Sequence, residues 1–109
     1  MNTLLEAYNT QQSLLRVGNA MYIASPYYEP IVSYAQIARL TSYELAMILP
    51  VLQNFIATQN SLHYIEVLFI GLLAIYNIRP LHYIRYICSK SLDQLQDAID
   101  FAKYTTIQE

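Results

Sequence analysis

The stretch LAMILPVLQNFIATQNSLHYIEVLFIGLLAIYNI, residues 45–78, carries one formal charge, Glu66, in 34 positions. Tyr64, Ile65, Val67, Phe69 and Ile70 each suit a strand, but length decides otherwise. The 17 residues from Leu62 to Ile78 contain no turn signal, roughly three times the length of an ordinary strand and usual for a helix. The pattern predicts a helix over about 62–78 that is apolar nearly all round, as helices at the centre of a bundle or in a membrane are. Upstream, Thr41 and Glu44 stand at capping-box spacing and predict a helix to about Thr58, kinked where the Pro50 ring displaces the carbonyl of Ala46. Asn60-Ser61 forms the polar break between the two.

The flanks carry the same kind of punctuation. Thr3 and Glu6 repeat the capping-box spacing and predict a helix over about 4–24, slightly weakened by Gly18 and stopped by Ser25-Pro26. Glu29-Pro30 predicts the start of another that runs to about Leu40. Arg79-Pro80 ends the apolar helix, and a short one follows from Pro80 to about Cys88. Ser91 and Gln94 cap the last, with Leu92, Leu95, Ile99 and Ala102 on one side and Asp93, Gln96, Asp97 and Asp100 on the other. With two glycines and four prolines in 109 residues, tight turns are few. The expected fold is all-α: one domain spanning 1–109, a small bundle of five or six helices around the nearly all-apolar one.

Composition narrows the function classes. The chain is 55% hydrophobic and 13% charged, about half the usual charged share, which argues against disorder. A net charge of −2 with six basic residues argues against general nucleic-acid binding, which rests on many cations neutralising phosphates. The lone Cys88 offers no disulfide framework, and Met1 to Glu6 has no basic n-region followed by an apolar core, so a cytoplasmic location is expected. A helix over 62–78 would reach ~25 Å, short of a ~30 Å hydrocarbon core, with Glu66 inside it. A buried helix is therefore expected over a membrane span.

No catalytic, cofactor-binding or metal-ligating constellation emerges, and the expectation is a protein that is not an enzyme. His63 and Glu66 share a helical spacing, but two ligands do not make a metal site, and His82 falls a helix length away. Cys88 has Arg85 and Lys90 nearby and no histidine positioned as its base, so a structural cysteine is expected. Tyr76, Arg79, His82, Tyr83, Arg85, Tyr86 and Lys90 interleave cations with aromatics, a pattern that can stack bases and hold phosphates. The downstream acids Asp93, Asp97 and Asp100 can absorb those charges instead.

One resemblance concerns residues 32–53. The run Ile37-Ala38-Arg39-Leu40-Thr41-Ser42-Tyr43-Glu44-Leu45-Ala46-Met47-Ile48 resembles the core of the helix-turn-helix family of DNA-binding motifs, with Ile37, Ala38, Tyr43, Ile48 and Val51 at its packing positions. The resemblance implies a nucleic-acid-associated regulator. The chain departs from the pattern at Ser42, where a turn glycine is usual. Its would-be recognition helix turns Glu44, Leu45, Ala46 and Leu49 to the groove, with no Arg, Lys, Asn or Gln to read base edges.

A chain this small has too much surface to hide so much apolar sequence alone, so self-association or a second protein chain is the expected partner. The eleven tyrosines fit that role, since tyrosine joins large contact area to a hydroxyl. The aromatic connector Tyr22, Tyr27 and Tyr28 could be part of it. The expected contact residues are Tyr43, Met47, Phe55 and Tyr64, with Arg79, Tyr83 and Arg85 as the polar part. The function expected is an interaction module, such as an assembly subunit, adaptor or small chaperone. A regulator with a degenerate helix-turn-helix and a membrane-associated subunit are the alternatives.

Overall fold

The computed structural model describes residues 27–59 and 61–107, and these are all-α: five helices and no strand among the described residues. The helix expected over 4–24, with Gly18 and Tyr22, lies outside them. The chain divides into two compact units, Met1–Asn60 and Ser61–Glu109.

The first unit holds α1 (Tyr28–Ile37) and α2 (Ser42–Thr58). Helix α1 starts two residues before the expected Pro30, because the first N–H groups of a helix need no intrahelical acceptor and a proline in the first turn loses nothing. Its first bond runs from the Ile31 N–H to the Tyr27 carbonyl at 3.1 Å. Tyr27 itself is buried rather than part of an exposed connector. The helix stops short of Leu40 because Arg39 takes φ 55°, and the Arg39 and Leu40 N–H groups turn back to the carbonyls of Gln36 and Ala35 at 3.1 and 3.0 Å. That pair of bonds is a Schellman stop.

Helix α2 opens on the capping box expected from sequence. The Thr41 N–H donates to Glu44 Oε1 at 3.0 Å and the Glu44 N–H to Thr41 Oγ1 at 3.1 Å, satisfying two orphan donors reciprocally. The helix runs on through Pro50 to Thr58, and the proline supplies no N–H to the carbonyl of Ala46. Leu45, Ile48, Leu49, Val51 and Leu52 form its buried side.

The second unit is built on α3 (Leu62–Ile75), which packs chiefly against α5 (Leu92–Ile107) and also on α4 (Leu81–Cys88). Ile65, Leu68, Phe69, Ile70, Leu72 and Leu73 are all buried, as the all-round apolar pattern requires. The helix ends at Ile75 rather than Ile78. Asn77 adopts φ 55°, and the Asn77 and Ile78 N–H groups bond to Ala74 and Leu73 at 3.1 and 2.9 Å, a second Schellman stop that asparagine tolerates well. Helix α5 opens on the expected capping box, with the Ser91 N–H on Gln94 Oε1 at 2.9 Å and the Gln94 N–H on Ser91 Oγ at 3.1 Å.

Gly71 sets the α3–α5 crossing. A Cβ placed there would fall inside contact distance of the Ala98 carbonyl oxygen and 2.6 Å from the Ala102 Cβ. Three small residues thus let two backbones approach more closely than side chains allow. The consequence corrects the face expected for α5: Ala98 is buried along with Leu95 and Ala102, while Leu92 is exposed. The helix is rotated so that its alanines, not its larger residues, meet Gly71.

Helix α4 ends with Ser89 at φ 53°. A Cβ in the left-handed region costs ~1–2 kcal/mol, part of which glycine forfeits through its freer unfolded chain. Ser89→Gly is therefore expected to stabilise the protein by roughly 0.5–1 kcal/mol, read as a raised urea midpoint. Ser89→Ala, which keeps the Cβ, should give no gain.

Candidate functional site

With α3 buried inside the chain, the apolar surface left facing water lies mainly elsewhere. On α2, Tyr43 is 76% and Met47 40% exposed, and Pro50, Asn54 and Ala57 are exposed as well. Their spacing of four, three, four and three residues places all five on one face of a 3.6-residue helix. No Asp, Glu, Lys or Arg interrupts that face. It is a neutral, largely apolar stripe running most of the helix length.

Of the contact residues expected from sequence, Tyr43 and Met47 are brought together on this stripe. Phe55, half-buried, stands about 120° round the helix from Tyr43 at ~100° per residue. Tyr64 belongs to the second unit, exposed but leaning on Phe101 at a ring separation of 5.8 Å, with His63 edge-on at 5.3 Å. Arg79 and Tyr83 are half-buried, and Arg79 donates from Nη1 to the carbonyl of Ile78 at 2.7 Å. Arg85 is exposed beside His82 and Tyr86, the last 82% exposed, so α4 shows water one cationic and aromatic edge while Ile84 turns inward. Sequence reasoning missed Pro50, Asn54 and Ala57 on the α2 stripe, although their helical spacing from Tyr43 marks them.

Of the packing positions of the helix-turn-helix resemblance, Ala38, Ile48 and Val51 are buried and Ile37 and Tyr43 exposed; Leu45 and Leu49, which the motif would present to a groove, are buried. The face α2 turns outward is a different one.

A recess of about 310 Å³ lies in the second unit between Ala74, Ile75, Leu81 and Ile99, with Arg79 and Lys103 at its lining. The Arg79 guanidinium is already engaged with the Ile78 carbonyl, and the other ionisable lining residue is Lys103. Among the described residues, no three His, Cys, Asp or Glu side chains converge as metal ligands, and no helix is long and apolar enough to cross a membrane.

Cys88 is partly buried. Burial pushes its thiol above the ordinary value; the Lys90 ammonium opposes that shift and the Glu66 carboxylate adds to it. A raised value means less thiolate at any given pH, and the thiolate is the nucleophile. Alkylation by iodoacetamide at pH 8 is expected to be slower than for an unstructured cysteine peptide, with its rate inflection displaced to the alkaline side. Lys90→Gln should displace it further and Glu66→Gln should bring it back. An inflection at or below that of the peptide would contradict this account.

No family model matches the chain, and neither a curated protein nor a solved structure matches it.

Proposed function

We propose that this protein is a non-catalytic protein–protein interaction module, an assembly subunit, adaptor or small chaperone that works as an oligomer or within a complex. The observation that carries the proposal is the uncharged α2 stripe, on which Tyr43 and Met47 stand exposed within one turn of each other. Burying apolar area is the main favourable term in association, and a tyrosine beside a methionine supplies both broad contact and adaptability. In the second unit, exposed Arg85 and half-buried Tyr83 on α4, with half-buried Arg79 just before the helix, are the polar contact residues and exposed Tyr64 an aromatic one; half-buried Phe55 is a further aromatic contact residue of the first unit.

The test pairs association with charge insertion. Sedimentation of the purified chain, and co-purification from its source, measure what it binds. Tyr43→Glu with Met47→Glu is expected to weaken that binding by roughly 100-fold, since each substitution forces a carboxylate into an apolar contact. Both sites are exposed, so the fold should survive. Association unchanged by the double substitution would rule out α2 as the contact. Unchanged association after Arg85→Glu would remove α4 from it.

A further inference from the structure

We propose that the recess of the second unit binds a small carboxylate with an apolar body, such as a medium-chain fatty acid. The inference concerns a different surface from α2 and does not depend on the contact there. The recess lies where the turn after α3 enters α4 and meets α5, and its volume is about 310 Å³. That is at the lower end of the ~300–1,000 Å³ usual for small-molecule sites, so it suits one short chain or ring.

The lining divides by chemistry. Ala74 and Ile75 from the end of α3, Leu81 from the start of α4 and Ile99 from α5 supply apolar area. Leu81 is 44% exposed, and covering it with an apolar ligand body is favourable. Lys103 follows Ile99 by four residues and therefore shares its face of α5. Arg79 brings a second positive charge, and no Asp or Glu lines the recess to cancel either one. The main-chain oxygens at the end of α3 already accept bonds. The Ala74 carbonyl takes the Asn77 N–H at 3.1 Å, and the Leu73 carbonyl takes the Ile78 and Arg79 N–H groups at 2.9 and 3.3 Å. The Ile78 carbonyl takes Arg79 Nη1 at 2.7 Å, a bond that engages one N–H of the guanidinium and leaves its charge intact. A ligand without charge gains nothing from the two cations, and a compact anion gains nothing from the walls. A single carboxylate on an apolar body uses both, because an ionised acceptor forms the stronger bonds with Arg and Lys.

The experiment titrates the purified full chain with octanoate and follows the backbone amide signals by NMR. Saturable binding is expected, with the largest displacements at Leu81, Ile99 and Lys103. Octanol, which lacks the charge, and acetate, which lacks the apolar body, should each bind at least about tenfold more weakly. Lys103→Gln should weaken octanoate by about tenfold, and Leu81→Asp, which sets a carboxylate against the ligand's own, should abolish saturation. Both side chains are exposed, so the fold should survive, as far-UV circular dichroism would check. Absence of saturation in the parent chain, octanol binding as tightly as octanoate, or an affinity unchanged by Lys103→Gln would each overturn the inference. Displacements confined to α2 would do so as well, by placing octanoate on exposed Tyr43 and Met47 instead.

Discussion

Gly71→Ala is expected to lower the unfolding free energy by about 1–2 kcal/mol net, within the ~1–3 kcal/mol range for overpacking a tight contact, measured by urea denaturation. The added methyl meets the carbonyl oxygen of Ala98 and the Cβ of Ala102. A backbone oxygen moves only if its helix moves, so α5 must retreat from α3 along the whole contact. Helix propensity works the other way, since alanine in a helix interior is favoured over glycine by about 1 kcal/mol; the steric term is expected to exceed it. Ala102→Gly in the same chain should recover part of the loss, because it clears one of the two obstacles and leaves the carbonyl. The two changes are then non-additive by about 0.5–3 kcal/mol, as for residues in contact. A Gly71→Ala chain as stable as the parent, or more so, would show that this crossing is not set by the glycine.

Leu68→Ala is expected to cost about 3 kcal/mol, within the range for emptying a fully buried leucine site, and to leave the association state of the folded chain unchanged. Leu68 has no exposed surface at all, so its methyls are covered by the chain itself and not by another molecule. Charge insertion at Tyr43 and Met47 should do the reverse, changing association and sparing stability. The pair of results separates the two halves of the charge-poor stretch. Its second half is core, and its first half divides between the buried side of α2 and the outward stripe. A Leu68→Ala chain that kept its stability but changed its oligomeric state would reverse that assignment.

Much of this was readable in the residues because the signals are local. The Thr41/Glu44 and Ser91/Gln94 boxes each reduce to two side chains and two N–H groups a turn apart, and both form as their spacing says. The all-round apolar run of α3 likewise needs no partner to be read as buried. What could not be read depends on what lies across a contact. Arg39, Asn77 and Ser89 end their helices in the left-handed region without a glycine to announce it. The rotation of α5 that buries Ala98 and exposes Leu92 follows from Gly71, some thirty residues away in sequence. The count of apolar residues likewise does not tell which of them the chain covers itself: Leu68 and Leu72 are enclosed, while Tyr43 and Met47 of α2 face water.

The order of elements around α3 has a consequence for synthesis. The most apolar helix ends at Ile75, and its principal cover, α5, is complete only at Ile107. The 32 residues from 76 to 107 take about 2–6 s to add at ~5–20 residues per second. For that interval the nascent chain carries Ile65, Leu68, Phe69, Leu72 and Leu73 with no α5 to receive them. A chain truncated before Ser91 should therefore expose a segment that general chaperones bind, and the whole chain should not.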